Sequence, residues 1–292
     1  MSKIYLHASD VNYPLILDFL KRSPKELLHK VENDHVIKLL KSGHEKVLTR
    51  IRPGSSRLIV EFLNGDPSTE ATRAVKQYIT EWLDLETDLS AFYRMAARDE
   101  MLKPVVKRFR GYRIVGQPDL FESLVWAIIG QQINLQFAYT LKSRFVEKFG
   151  ERLHWNNESF YLFPDPKLVS QLTDDVLIGM QFSRQKSKYI IGLAEVFAAG
   201  ALSREKIKAL SFEDAKQTLM KIKGIGNWTA NYALMKTFRY PNAFPLEDAG
   251  LHNAIRNLMK MDRKPTLDEV RKIFRKYKGW EAYATLYLWK TL

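Results

Sequence analysis

The spacing of the apolar residues changes once along the chain, and this change constrains the fold more than any other feature. In the first part, Val47, Thr49 and Ile51 alternate with polar neighbours. The same alternation returns at 58–62, after a turn-forming segment at 52–57. A period of two on both sides of a turn predicts a β-hairpin with one buried face.

The segment NGDPST at 64–69 ends the strand pattern, and helical spacing predominates after it. One long apolar helical region, 118–150, is interrupted by polar residues at 130–134. We therefore predict an N-terminal α+β domain with an antiparallel sheet at 1–68. A mainly α, multi-helix domain is predicted at 69–292.

The composition limits the kinds of partner and chemistry that the chain can have. The formal net charge of +13 favours a polyanionic partner, with nucleic acid first and an anionic membrane second. The chain has no cysteine, which excludes disulfides, thiolate zinc sites and cysteine nucleophiles. No apolar run reaches the roughly eighteen residues of a transmembrane helix, and no signal peptide is recognisable. We expect a cytoplasmic protein.

Gly224 and Gly226 lie two positions apart between two helical patterns, in the segment KIKGIGNW. Two interpretations stay open from the residues alone. The glycines can form a tight helix–helix turn with a glycine cap. They can also expose backbone N–H groups that, with the next helix N-terminus, bind a phosphodiester. Ile222 and Ile225 are placed to anchor the turn in either case.

Asp248 follows about twenty residues later, just before a helical pattern marked by Leu251 and Ile255. This position favours an N-cap role. A cap fixes a carboxylate firmly, so capping is compatible with catalysis at the same residue.

Taken together, these motifs resemble the helix-hairpin-helix (HhH-GPD) superfamily of base-excision DNA glycosylases, and its bacterial alkylation-repair members most of all. The resemblance covers roughly residues 110–290 and is weaker before them. It implies a helix-hairpin-helix core of two helical lobes, with the active-site cleft between them. It rests on LMKIKGIGNWTANYALM, FPLEDAGLHNAIR, GQPDLFESLVWAIIGQQI, LIGMQFSRQKSKYIIGLAEVFAAG and GWEAYATLYLW.

The resemblance makes Asp248 the essential aspartate. Cleavage of an N-glycosidic bond develops positive charge on the sugar, which a fixed carboxylate stabilises while it orients or deprotonates water. An alkylated purine is already cationic and leaves readily, so one carboxylate suffices. Glu247 would then only shape the local field.

Trp228 stands where bifunctional members of the family carry a Schiff-base lysine, so a β-lyase reaction is not expected. The implied activity is a monofunctional glycosylase of base excision repair that flips out and excises alkylated bases and leaves an abasic site. Two alternatives stay open. One is an 8-oxoguanine-type glycosylase with lyase activity, and the other is a non-catalytic helix-hairpin-helix DNA-binding protein.

The resemblance also assigns a base pocket and a wedge. Trp228 and Tyr232 share one helix face and, with Trp280, would line the pocket. Plain core packing is the alternative for all three. Gln132 is the first candidate to fill the gap left by the flipped base, and Gln131 is the second. The alternative is that this loop only caps a helix.

Contacts with the DNA backbone are expected mainly at the hairpin. Lys223 stands there where the family often has proline. The expected hairpin residues are Lys221, Lys223, Gly224, Ile225, Gly226 and Thr229. Further phosphate contacts are expected among Arg184, Lys186 and Lys188.

No cofactor and no side-chain metal site are expected. The family implies a monovalent cation held by backbone carbonyls near Ile222 and Ile225. The expected partner is double-stranded DNA with damaged bases, bound by a monomer that is nucleoid-associated when on DNA.

Overall fold

The computed structural model describes residues 2–292 as an antiparallel sheet followed by helices. The strands are β1 (Lys3–His7), β2 (Lys30–Glu32), β3 (His35–Ser42), β4 (Glu45–Pro53), β5 (Arg57–Phe62), β6 (Arg152–Trp155) and β7 (Glu158–Tyr161). The helices are α1 (Tyr13–Leu20), α2 (Thr69–Trp82), α3 (Ser90–Ala96), α4 (Leu102–Arg108), α5 (Leu120–Gly130), α6 (Leu135–Phe149), α7 (Pro166–Val169), α8 (Asp174–Ile178), α9 (Arg184–Ala198), α10 (Arg204–Lys208), α11 (Phe212–Met220), α12 (Asn227–Phe238), α13 (Ala249–Leu258), α14 (Leu267–Phe274) and α15 (Glu281–Trp289), with a 3₁₀ turn at Arg275–Tyr277.

The N-terminal sheet is antiparallel throughout, with strand order β1-β5-β4-β3-β2. Its register pairs Leu6 with Leu58, Val36 with Ile51, and Ile51 with Val60. These residues belong to one buried cluster, in which the sheet packs against α1 and α2. The predicted hairpin and its buried face are confirmed, because a period of two places alternate residues on the same side.

The other face of the sheet is also covered, by a small hairpin that the sequence did not predict. Ile37, Leu39 and Leu48 on this face cluster with Phe160 of β7. The part predicted to be mainly α thus also contains two short strands. Strands β6 and β7 have four residues each, which is too short for alternation to stand out against helical spacing.

The helical part is built around α5, whose residues from Leu120 to Ile129 are all buried. A helix that is buried on every side belongs at the centre of a domain. The predicted interruption is confirmed: α5 ends at Gly130, and Asn134 caps α6 by accepting the N–H of Phe137 at 2.9 Å. Among residues 2–292, no helix is both long and apolar enough to cross a bilayer.

Helix α2 begins at Thr69, where the second domain was predicted to start. Its apolar residues Val75 and Ile79 nevertheless pack into the same cluster as the sheet. The first helix after the strands thus completes the core of the N-terminal part. The division into 1–68 and 69–292 stays a prediction.

Buried ionic contacts tie the N-terminal part to the helical core. The Lys142 ammonium on α6 lies 2.9 Å from a Glu26 carboxylate oxygen and 3.6 Å from one of Glu122. All three side chains are less than a tenth exposed. Burial alone would raise the pKa of Glu26, but Lys142 and His29 outweigh it and lower that pKa to about 2.

Replacing Lys142→Met should lower the free energy of unfolding by about 3–5 kcal/mol, because it leaves two buried carboxylates without their cation. Urea denaturation at pH 7 measures the change. The folded-state pKa of Glu26 is depressed, so its contribution is present above the ordinary value of 4.5 and lost as pH falls toward 2. The difference in free energy of unfolding between wild type and Lys142→Met should therefore decrease as the pH falls through that range. Lys148→Met, at an exposed position of the same helix, is the control, and an equal loss there would contradict the assignment.

Candidate active site

Helices α11 and α12 are joined by a tight turn at 221–226 whose shape depends on Gly224. Gly224 has φ +92°, and a Cβ at this position would overlap the ring of Tyr189. Ile225 is buried beneath the turn, and its N–H donates to the Ile222 carbonyl at 3.0 Å. Among residues 2–292 the Ile225 carbonyl accepts no hydrogen bond. A free carbonyl fits the expected monovalent cation, which stays a prediction.

The N-terminus of α12 leaves its first N–H groups without a side-chain partner. Gly226 is the N-cap residue and no side chain caps the helix, so these donors and the helix dipole can receive a phosphate. Lys221 and Lys223 are exposed beside them, in a cavity of about 480 Å³. Arg184 and Lys188 are exposed on the neighbouring α9. Their contacts with DNA stay predictions.

The side chains of Thr229 and Lys186 make contacts within the protein. The Thr229 side chain is buried, and its hydroxyl accepts from the Gln131 amide at 3.2 Å. Lys186 is also buried and donates to the Ile129 carbonyl at 2.7 Å. Burial lowers the pKa of Lys186 below its ordinary value. Both side chains support the hairpin from inside, and phosphate contacts of these two residues stay a prediction.

Asp248 caps α13 and is held by three N–H donors. Its Oδ1 accepts from the Leu251 backbone at 2.7 Å and from Trp289 Nε1 at 2.7 Å. Its Oδ2 accepts from Trp228 Nε1 at 3.1 Å. The donors fix the carboxylate and stabilise its negative charge. The half-buried side chain lies on the wall of a cavity of about 750 Å³.

Trp228 and Tyr232 form one wall of the same cavity. Their rings stack with centroids 5.2 Å apart and planes 20° apart. The Tyr232 hydroxyl accepts from Trp126 Nε1 at 3.2 Å. Tyr232 also belongs to the main hydrophobic core and Trp228 packs against it, so core packing and a position on the cavity wall hold together for both residues.

Trp280 lies away from this cavity, which corrects its assignment to the base pocket. Its ring packs against Phe92 and Tyr283, with centroids 5.9 and 5.7 Å away. Three tryptophans line the cavity, Trp126, Trp228 and Trp289, and the last of them lies at the end of α15. Trp280 and Trp289 both belong to the motif GWEAYATLYLW, and the packing of α15 decides which of the two reaches Asp248.

Glu247 is exposed and directed toward the start of α12. Both its carboxylate oxygens accept from the Asn227 side-chain amide, at 2.9 and 3.0 Å. Asn231 donates to the Asn227 carbonyl at 2.9 Å and accepts the N–H of Phe244 at 2.9 Å. These amides tie the segment before Asp248 to α12. Glu247 therefore helps to position the loop, and Asp248 is the carboxylate at the aromatic wall.

The two glutamines of the loop between α5 and α6 have different environments. The Gln131 amide donates to the Gly224 carbonyl at 3.0 Å and to Thr229, which joins this loop to the hairpin. Gln132 is exposed, with φ +56°. Gln131 is thus corrected from candidate wedge to structural contact. Gln132 as the wedge stays a prediction.

Sequence reasoning missed part of the cavity wall. Asp18, Phe19 and Arg22, at the end of α1, form one side of it. No local pattern signals a contact with residues more than a hundred positions away. Lys236 at the inner end continues the spacing of Trp228 and Tyr232 along α12, so the i, i+4 pattern could have found it. Among residues 2–292, no cluster of acidic or histidine side chains is arranged to hold a metal ion.

Comparison with known proteins agrees with this geometry. Residues 125–279 match the model of the HhH-GPD superfamily base excision DNA repair proteins, and residues 20–124 match the N-terminal domain of 8-oxoguanine DNA glycosylase. A DNA-3-methyladenine glycosylase of Bacillus subtilis is 43% identical over 94% of this chain and 92% of its own length. The solved 3-methyladenine DNA glycosylase of Archaeoglobus fulgidus is 28% identical, with a TM-score of 0.84 over 99% of this chain and 97% of its own.

The chain therefore belongs to the HhH-GPD superfamily of base excision DNA repair proteins. The fold is shared more widely. MBOgg1, solved with a DNA ligand, superposes with a TM-score of 0.80 over 99% of this chain at 20% identity.

Gly226→Ala should weaken binding to every DNA duplex alike without unfolding the protein. No atom lies within 4 Å of a Cβ placed there, so the methyl group would occupy only the space that a phosphate needs. Fluorescence anisotropy with undamaged duplex measures the affinity, and thermal unfolding measures the stability. Gly224→Ala is the contrast, because it should destabilise the fold. Unchanged affinity of Gly226→Ala would contradict the phosphate site.

Trp289→Phe should slow base excision about tenfold or more, because it removes one hydrogen bond to the charged Asp248 carboxylate. Single-turnover release of methylated bases from alkylated DNA measures the rate. Trp280→Phe, which changes an indole away from the cavity, is the matched control. Equal slowing by both substitutions would show that the assignment of Trp289 is wrong.

Proposed function

We propose that this protein is a monofunctional DNA glycosylase of base excision repair, which excises alkylated bases of the 3-methyladenine and 7-methylguanine type. The observation that best supports the proposal is the Asp248 carboxylate, held by two indole N–H groups at an aromatic cavity beside the hairpin. The relatives from Bacillus subtilis and Archaeoglobus fulgidus are named for the same substrate class.

Double-stranded DNA is the partner. The open N–H groups of α12 bind one backbone phosphate, and the net charge of +13 strengthens the attraction without regard to sequence. Binding occurs as a monomer, in the cytoplasm and at the nucleoid.

The damaged base is flipped out of the duplex, because its glycosidic bond is inaccessible within the stack. The base enters the cavity beside Trp228 and Tyr232, whose π faces attract an electron-poor, positively charged ring. Gln132 occupies the gap left in the helix. A base that carries a methyl group and a positive charge is thereby favoured over its unmodified counterpart.

Asp248 performs the chemistry. As the N-glycosidic bond breaks, positive charge grows on the sugar, and the fixed carboxylate stabilises it. The same carboxylate orients water or removes its proton as the water attacks the anomeric carbon. The cationic base leaves with its bonding electron pair and becomes neutral, so no second acid is needed. The product is an abasic site in an intact strand.

The match of residues 20–124 to the N-terminal domain of 8-oxoguanine DNA glycosylase favours a second candidate, an oxidised-base glycosylase with lyase activity. That reaction needs an amine at the sugar. Trp228 stands at the position where that lysine is expected. The amine of Lys236, which lies farther along α12, donates to the Val115 carbonyl. A role restricted to DNA binding would not need the carboxylate and its two indole donors.

The test is release of free methylated bases from alkylated duplex DNA by wild type and Asp248→Asn. The substitution removes the charge but keeps the shape, so excision should fall at least about a hundredfold while DNA affinity is retained. Strands should be unbroken before alkali treatment. Asp248→Asn near wild-type activity would refute the role of the carboxylate, and breakage without alkali would favour the lyase. If wild type releases no methylated base, the same assay with oxidised and deaminated bases distinguishes a glycosylase for another lesion class from a DNA-binding protein without activity.

A further inference from the structure

His252 lies one turn into α13, and both nitrogens of its ring face backbone carbonyl oxygens. Its Nδ1 lies 3.0 Å from the Pro265 oxygen, and its Nε2 lies 2.8 Å from the Leu246 oxygen. Among residues 2–292, no other hydrogen bond reaches either oxygen. The half-buried ring thus bridges two segments of the chain that lie outside helices and strands.

These two contacts require two donors from the ring. A carbonyl oxygen only accepts, and a neutral imidazole has one N–H and one acceptor nitrogen. With a neutral ring, one of the two contacts would therefore place lone pairs against each other. The imidazolium has an N–H at both positions and satisfies both oxygens, with charge-assisted hydrogen bonds that are about twice as strong as neutral ones.

The Pro265 carbonyl belongs to a segment that is held firmly by other contacts. Thr266 and Glu269 form a reciprocal capping box at the start of α14. The Arg263 guanidinium makes two hydrogen bonds of 2.8 Å to the Glu269 carboxylate. The Pro265 oxygen is therefore a fixed point to which the ring is bound.

The Leu246 carbonyl belongs to the turn that carries Asp248. Two backbone hydrogen bonds close this turn, from Leu246 to the Phe244 carbonyl at 2.8 Å and from Asp248 to the Pro245 carbonyl at 3.0 Å. The His252 ring binds the turn in its middle, two residues before the carboxylate. A shift of the Leu246 peptide would move the Asp248 oxygens relative to the two indole groups that donate to them.

Charged side chains of both signs belong to the elements around the ring, so they do not by themselves decide its protonation. They are Asp248, Glu247, Arg256, Lys264, Glu269 and Lys290. The groups in hydrogen-bond contact with the ring nitrogens are the two carbonyl oxygens. Both oxygens favour the protonated form, because only that form donates to both.

We propose that His252 is a positioning residue for base excision, whose doubly protonated ring holds the turn that presents Asp248. The ring does so by tying the Leu246 carbonyl to the fixed Pro265 carbonyl. This inference rests on the proposed function and adds to it a dependence on pH. The two hydrogen bonds are complete while the ring is protonated, so their contribution to the excision rate is present at low pH and lost as the pH rises and the ring becomes neutral.

The test compares wild type with His252→Gln across about pH 5–8, the range in which histidine changes its charge. Glutamine can donate to one of the two carbonyls but is neutral at every pH. Single-turnover release of methylated bases from alkylated duplex DNA measures the excision rate, and fluorescence anisotropy measures DNA affinity separately. His44→Gln is the matched control, because it makes the same replacement at an exposed histidine between β3 and β4.

At the acid end of this range, wild type should release methylated bases about tenfold faster than His252→Gln, as expected for one charge-assisted hydrogen bond. The ratio of the two rates should fall toward one as the pH rises, because the wild-type ring becomes neutral. DNA affinity should stay within about twofold, since the contact acts on the chemical step. His44→Gln should follow wild type at every pH.

Nuclear magnetic resonance of protein with isotope-labelled histidines observes the ring itself. The chain has six histidines, and the signal that is missing in His252→Gln identifies this one. Both ring nitrogens should carry a proton at the acid end of the range. A singly protonated ring there would overturn the inference, even if the variant excises more slowly.

Two kinetic results would also contradict it. A rate ratio close to one at every pH would show that His252 has no role in excision. A larger ratio that does not change with pH, together with a lower melting temperature of His252→Gln, would identify a purely structural role. If wild type releases no methylated base at any pH, the proposed function fails, and the positioning role fails with it whatever the state of the ring.

Discussion

The architecture of the candidate active site depends on how the Asp248 carboxylate is held. Its three donors come from the first turn of α13, from Trp228 on α12 and from Trp289 at the end of α15. Three helices must therefore pack correctly before the carboxylate has its position. The side-chain amides of Asn227 and Asn231 fasten the preceding segment to α12, which links the carboxylate to the hairpin.

Helix α12 connects the hairpin turn with the aromatic wall of the cavity. Its N-terminus at Gly226 has N–H groups that no side chain caps, and the same helix presents Trp228 and Tyr232 to the cavity. A helix is stiff over this length, so the distance between the phosphate site and the aromatic wall is fixed before DNA arrives. Under the proposed function, a phosphate bound at one end would thus set where a flipped base meets the wall and the carboxylate.

The N-terminal part completes the cavity from the opposite side. Residues Asp18, Phe19 and Arg22 of this part face the aromatic wall, and the Lys142–Glu26 pair holds the two parts together. Glu26 of the ionic contact and these cavity residues lie within one short stretch of chain, 18–26. The geometry of the cavity therefore depends on an interface whose polar groups are buried and mutually satisfied.

Much of this protein could be predicted from sequence because the relevant interactions are local. Three predicted features depend only on neighbours within a few residues: the alternation at Val47 and Ile51, the interruption between α5 and α6, and the helix cap at Asp248. The shared face of Trp228 and Tyr232 follows from helical geometry alone.

Other features were decided only by tertiary packing. Whether Trp280 or Trp289 reaches the carboxylate depends on which face of α15 meets α13. The side chains of Lys186 and Thr229 are buried and support the hairpin from inside. The number of charged residues in the sequence does not reveal this burial. The short strands β6 and β7 form because the sheet has a second apolar face to cover. Arg22 reaches the cavity through contacts with residues more than a hundred positions away, and local sequence patterns contain no information about such contacts.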